Sequence, residues 1–483
     1  AMDKKEVQKE VLLSERFQKR EEQLRMTPEK QERKARKEEQ HLNLLKSLGL
    51  KPQGNESLAN APKTGLINPF ALTEAILETP VEWANPRAMD IMERVLESSY
   101  EDLIKSKDSV LLAGQNPNAT VREEMGDINL KNATDLDQLR SSLKDAKLNI
   151  SSVQSRGKSI EVTLNIEEKR EKALSSSHIS KAIKNLIRPG FNGTRANANS
   201  SYLQTREYGA GSPYSPNRFD APVQGVLGNC YFMAALSSVA WTHPGRLHLD
   251  IDLKSQAQNN LDNPFWFYYL YGTSAAVNGK SFSGGWAAVD MELPVIGDYA
   301  LPTYARSRYW HDGDYWPAYM EKLFAMHRYP SLSIWEAYEK IGEGGQEKQA
   351  LEELLGDEFS SAYLFLQNMT TATLLNFMAQ KTDSVWKTQH PMTLAAFDAT
   401  MPGIANGHAY SVLGVQHWNN AYYVIIRNPW GRSEPSGDGV LTGEYFKPNF
   451  MENERFRFGD NDGIFALRID KVRENFDRLG YAY

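Results

Sequence analysis

The chain has 483 residues, 55 Lys plus Arg against 61 Asp plus Glu, a formal net charge of −6 and a single cysteine. One cysteine excludes an internal disulfide framework. Basic residues are everywhere interspersed with acids, which argues against nucleic acid as a partner. The longest aromatic run, Phe265 to Tyr271, is far too short to span a bilayer. Length alone leaves room for about three units of ordinary domain size. No signal peptide is evident, but Ala1-Met2 reads as an expression scar, so the compartment stays open between cytoplasmic and secreted or cell-surface.

In chain order, residues 3–48 are dense in Glu, Lys, Arg and Gln, with apolar positions at Val7, Val11, Phe17, Leu24, Leu42, Leu45 and Leu48. This predicts two helices with a thin apolar stripe that needs a docking partner, the second opening at Thr27-Pro28. A further helical region follows Asn68-Pro69, through Phe70 to Leu77 and Arg87 to Leu96, and charged, helix-compatible sequence covers 120–190. Residues 188–201, with Pro189, Gly190, Gly193 and several Asn and Ser, have the composition of a linker.

Cys230 lies where a turn rich in Gly and Asn, Gln224-Gly225-Val226-Leu227-Gly228-Asn229, runs into the apolar stretch Tyr231 to Leu236. A thiol in the first turn of a helix meets unpaired N–H groups and the positive end of the helix dipole, both of which favour thiolate. Gln224 supplies an amide donor nearby, as an acyl-transfer site requires. A small buried hydrophobe is the alternative reading of a lone cysteine.

Downstream, Asn406-Gly407-His408 to Val415 and Tyr422 to Arg427-Asn428-Pro429-Trp430-Gly431 read as two β-strands joined by the polar stretch 417–420. With a four-residue loop, Gln416 pairs with Ala421, and His408 falls opposite Pro429, beside Asn428. A histidine next to an asparagine amide suits cysteine peptidase chemistry: the imidazole takes the thiol proton and returns one to the leaving amine, while the amide oxygen fixes the ring. Gly342-Glu343-Gly344-Gly345 is too weak for a phosphate loop and reads as a boundary, and no organic cofactor is expected.

QGVLGNCYFMAALSS, GHAYSV and RNPWG together resemble the active-site blocks of calpain-type cysteine peptidases, a branch of the papain-like superfamily. Trp286 to Pro294, Tyr315 to Ala325 and Asn461 to Phe465 are similar to secondary blocks of that family, so the resemblance covers about 217–483. It implies an α+β fold: a two-lobed core with a helical lobe bearing the nucleophile (216–345) and an antiparallel β lobe bearing His and Asn (346–483). A mostly helical region, 1–200, precedes it, with a linker near 188–215.

By this resemblance Cys230 is the nucleophile, His408 the general base and acid, and Asn428 its orienter. Gln224 shares the oxyanion hole with the Cys230 N–H, and Trp430 shields the Asn428–His408 contact. Leu227 stands where papain-type enzymes carry a second cysteine, Asn229 where calpains carry aspartate and Tyr231 where they carry tryptophan. His408 lies 178 residues after Cys230, longer than the roughly 130–150 of papain-type enzymes.

Calpain cores bind calcium, and Glu434, Asp460 and Asp462 match ligand positions of one loop, with Asp220 a candidate in another. Ile464 and Leu441 replace carboxylates there, which weakens a site for a hard cation. The expected activity is endopeptidase action on proteins or peptides. Residues 1 to about 200 serve as a pro-region over the cleft, released by self-cleavage within about 150–215. An acyltransferase of transglutaminase or deamidase type on the same triad, and an inactive scaffold, are the competing classes.

Overall fold

The computed structural model describes residues 15–51, 61–68, 70–71, 118–124, 150–156, 159–165, 218–247, 250–251, 265–272, 282–290, 293–296, 301–310, 315–442, 458–459 and 461–483. The helical region expected after Pro69, apart from Phe70 and Ala71, and the linker near 188–215 lie outside them.

Two charged helices form, α1 (Glu15–Leu24) and α2 (Pro28–Ser47). As the Thr27-Pro28 signature requires, the Thr27 hydroxyl accepts the Lys30 N–H at 3.3 Å and Pro28 opens α2. The stripe finds its partner within the chain: Leu45 is buried, with Leu44, Leu48 and Leu50 packed beside it on the core of the C-terminal sheet. His41 adds a 2.8 Å hydrogen bond with the Tyr481 hydroxyl and stacks on Tyr483 at 3.9 Å.

The helix-compatible reading of 120–190 is corrected by three strands, β1 (Asn118–Glu124), β2 (Ile150–Arg156) and β3 (Ser159–Asn165), in an antiparallel sheet of order β1-β3-β2. Ile160-Glu161-Val162-Thr163-Leu164 alternates apolar and polar residues with β-branched members, the strand period that the surrounding charge density masks.

Helix α3 (Cys230–Thr242) is buried from Cys230 through Trp241, the mark of a helix apolar on every face. Strands β4 (Phe265–Leu270) and β5 (Gly285–Asp290) pair antiparallel. Helix α4 (Trp316–Arg328) packs on them, followed by α5 (Ile334–Ile341), closed by a Ser333–Glu336 capping box, and α6 (Glu347–Leu355), which packs on α3.

The remaining elements are β6 (Ser361–Phe365), α7 (Thr371–Gln380), β7 (Met392–Ala396), β8 (His408–Trp418), β9 (Ala421–Arg427), β10 (Val440–Leu441), β11 (Ile464–Arg468), α8 (Ile469–Asn475) and β12 (Arg478–Ala482). The seven strands form one antiparallel sheet of order β6-β12-β7-β8-β9-β11-β10. The β8–β9 turn is two residues long, not four. Asn419 and Asn420 take φ of 46° and 60°, as a tight twisted hairpin demands, so Trp418 pairs with Ala421 and Gln416 with Tyr423. A bulge between Val412 and Gly414 shifts the pairing again.

Arg328 at the end of α4 reaches Glu353 of α6 through Nε at 2.9 Å and Nη2 at 2.6 Å, with both side chains buried. Removing one partner of such a pair strands the other charge, so Glu353→Ala should lower unfolding free energy by about 3–5 kcal/mol. Denaturant melts of the two proteins check this; an unchanged midpoint defeats it.

Candidate active site

Polar ties fix the nucleophile helix to the sheet. Ser411 Oγ donates to Ala234 O at 2.7 Å, Ser238 Oγ to Met392 O at 2.7 Å and Trp241 Nε1 to Leu413 O at 2.7 Å. Arg427, fully buried, donates to Ser237 Oγ at 2.9 Å and to the carbonyls of Asp220 and Pro222 at 2.8 and 2.6 Å. With four of these bonds holding α3 against β7, β8 and β9, its first residue, Cys230, is set at the head of β8.

There the Cys230 thiol lies 3.9 Å from the carbonyl oxygen of Gly407, the residue joined to His408. His408 opens β8 and pairs with Ala396. Its Nε2 is 2.9 Å from Asn428 Oδ1. Asn428 Nδ2 donates to Ser433 O at 3.1 Å, which fixes the amide so that its oxygen faces the ring. Nε2 therefore carries the proton, and Nδ1, which makes no hydrogen bond, keeps the basic lone pair. The Trp430 ring covers His408 at 4.4 Å, tilted by 36°, and Phe70 meets its edge at 6.0 Å.

Both reactive groups are neutral in this arrangement. Burial pushes the Cys230 thiol up to about 12, although N–H groups of Ala409 and Leu66 and the Thr64 hydroxyl face the sulfur. Burial also holds His408 down to about 3, against the opposing effect of the Asn428 bond.

Cover comes from a segment that the sequence reading passed over. Thr64 exchanges backbone bonds with Gly345 at 3.0 and 2.9 Å, and the N–H groups of Gly65 and Leu66 both donate to Gly407 O, at 2.9 and 3.1 Å. Asn68 Nδ2 donates to Gln224 O at 2.6 Å. Gln224 Nε2 is taken up by Leu66 O and Leu227 O, each at 2.7 Å. The signal was compositional: Ala61 to Ala71 holds one charged residue, Lys63, in contrast to the densely charged stretch 3–48.

Glu321 was also passed over. Buried on α4, it accepts Asn229 Nδ2 at 2.7 Å and the Ala305 N–H at 3.0 Å, anchoring the residue in front of Cys230. Burial raises its carboxyl to about 7.

Of the acidic positions only Glu434 and Asp462 come together. Asp220 is neutralised by Arg218, at 2.8 and 3.1 Å, and by the Tyr309 hydroxyl. Glu434 accepts the N–H groups of Asp462 and Gly463 at 2.9 and 3.1 Å, and Asp462 accepts that of Ile464 at 2.9 Å. Ile464 and Leu441 lie on β11 and β10. Asp460 falls outside the described residues. Among the described residues no group of three or more His, Cys, Asp or Glu could hold a metal ion.

The chain is similar to several known proteins. The thiol protease of Porphyromonas gingivalis is 41% identical over the full length of both chains. Human calpain-14 and the human calpain-2 catalytic subunit are each 24% identical, over 52% and 53% of this chain, and the match covers 34% of each of them. The calpain family cysteine protease domain matches residues 215–482, more than half of the chain. The chain therefore belongs to the calpain family of cysteine proteases.

Proposed function

We propose that this cysteine peptidase is an endopeptidase acting through Cys230, His408 and Asn428, made in a latent form. Carrying this reading is the 2.9 Å His408–Asn428 bond under Trp430, which leaves Nδ1 as the free base at the residue next to Gly407, where the sulfur sits. Once the cleft is open, His408 Nδ1 takes the Cys230 proton and the thiolate attacks a peptide carbonyl. The oxyanion meets the Cys230 N–H and Gln224 Nε2, and imidazolium returns the proton to the leaving amine. Water then hydrolyses the thioester, restoring thiol and imidazole. An asparagine orienter adds no competing charge, and the family match favours this class over the acyltransferase and the inactive scaffold.

Latency follows from the cover at 61–71, which belongs to the proposed pro-region 1–200 preceding lobes at 216–345 and 346–483. Wild-type protein should shorten to discrete fragments on storage while Cys230→Ala stays intact; identical behaviour sinks self-processing. In the processed enzyme Gln224→Ala should lower kcat by about a hundredfold, roughly 3 kcal/mol of transition-state stabilisation. Steady-state kinetics on a peptide substrate decide this, and an unchanged kcat removes Gln224 from the oxyanion site.

Hard cations take six to eight oxygen ligands, whereas the candidate loop offers Glu434 and Asp462, and the carbonyls Gly431 O and Asp462 O are already bound by Arg308 at 2.8 and 2.6 Å. The donor set does not fit a tight site, and no catalytic step depends on it.

Instead the two acids share a proton: burial and then Asp462 push Glu434 up to about 8, and Asp462 is raised as well. A carboxyl raised in the folded state stabilises it below the unfolded value near 4.5, a contribution lost as pH rises through 8. Glu434→Gln keeps the acceptor and supplies a donor to Asp462, so its Tm should gain on the wild type between pH 5 and 8.5. A constant Tm difference across that range refutes the shared proton.

A further inference from the structure

The segment that fills the cleft is threaded as a substrate would be. Thr64 forms a two-way antiparallel bridge with Gly345, so the chain lies extended along that wall. Next to it Gly65 and Leu66 point their N–H groups at Gly407 O, beside the sulfur and the histidine. Since Sγ lies 3.9 Å from that same oxygen, the Gly65–Leu66 peptide is brought up to the nucleophile. Only one carbonyl is misplaced. Gly65 O is turned to Gly228, close enough that a Cβ on Gly228 would lie 2.3 Å from it, and the Gln224 amide is occupied by Leu66 O instead.

Resting on the peptidase reading above, we propose that Thr64-Gly65-Leu66 is a built-in substrate held one peptide rotation from reaction, and that the Gly65–Leu66 bond is the first one cut, in cis. Rotating that peptide plane brings Gly65 O to the donors of Gln224 and Cys230. Sγ then bonds to the Gly65 carbonyl carbon and the bond to Leu66 nitrogen breaks. The thiol proton passes through His408 to the new Leu66 amine. Water releases Gly65 as a carboxylate and restores the thiol. Glycine suits position 65 because a Cβ there would meet Gly344 Cα at 2.8 Å, a contact backbone cannot yield cheaply. It also lowers the barrier to the rotation, having no side chain to carry through it.

The test follows full-length protein by N-terminal sequencing and intact mass. The earliest product should begin at Leu66, accompanied by a fragment ending at Gly65, at a rate independent of protein concentration. Full-length Gly65→Val should give no Leu66 terminus, and an epoxide thiol-protease inhibitor should label its Cys230 at least tenfold faster than in uncut wild type, since its cover no longer seats. Should that variant misfold, a synthetic peptide of residues 60–71 offered to processed wild-type enzyme should be cut after glycine. A first cut elsewhere, a rate proportional to concentration, equal labelling of Gly65→Val and wild type, or an intact peptide overturns the proposal. If processed enzyme takes up the inhibitor and cleaves other peptides while Leu66 never appears, the built-in substrate fails alone; if no form is ever labelled, the peptidase reading fails with it.

Discussion

One carbonyl organises this molecule. Gly407 O receives the N–H groups of Gly65 and Leu66 and lies 3.9 Å from the Cys230 sulfur, so the cover, the nucleophile and the strand that starts with His408 meet at a single oxygen. The backbone can present it there because Gly407 adopts φ of 70°, a left-handed turn between Asn406 and β8 that a side chain would disfavour. Asn406 secures the approach by accepting the Ala399 N–H at 2.7 Å, while Gly407 N–H donates to Ala396 O at 2.7 Å. Displacing 61–71 from that oxygen both opens the cleft and frees the acceptor nearest the reacting pair.

Occupancy and ionisation are linked through desolvation. Beneath the cover the thiol stands near 12 instead of 9.0 and the imidazole near 3 instead of 6.5, so each holds its neutral form. A group lowered by burial takes up protons more readily when released, and one raised by burial loses them more readily. Covered protein is therefore favoured most between those ordinary values, and acid below 6.5 or base above 9 works against it. Release also returns water to the cleft, which is what a thiolate–imidazolium pair needs in order to form. The same burial that neutralises Cys230 thus removes the driving force for its deprotonation, and the negative charge of Glu347 acts in the same direction.

What the sequence disclosed was local chemistry with a long reach. The GNC turn, the histidine strand and the NPW turn each have a residue pattern dictated by backbone needs, so Cys230, His408 and Asn428 could be placed before any coordinates. Their proximity survived an error in the hairpin loop, because two positive-φ asparagines shortened the turn while the bulge at Leu413 compensated for part of the slip. Illegible parts depended on partners far away in the chain. Ala61 to Ala71 has no periodicity of its own, since its conformation is set by Gly345, Gln224 and Gly407. Strands β1–β3 were hidden because the charge density around them masked the short alternating pattern of residues 160–164. Arg427 and Glu321 gave no signal because a buried ion or acid reads in sequence like a surface one.

Arg308, half-buried, knits the halves of the site. It leaves the segment that pairs at Arg306–Ser307 with Pro222–Val223, on the nucleophile side, and crosses to Gly431 O and Asp462 O on the sheet side. Gly431 follows Trp430, so the guanidinium steadies the loop that carries the tryptophan over His408. Asp462 belongs to the acidic pair with Glu434, and the positive charge of Arg308 opposes the rise that burial gives its carboxyl. A carboxyl pair in which burial favours a protonated member, with Arg308 alongside, is already partly compensated. A divalent ion entering it would displace that proton and would have to compete with Arg308 for Gly431 O and Asp462 O. The acidic loop and the tryptophan lid are therefore one mechanical unit, joined through a residue on the nucleophile side.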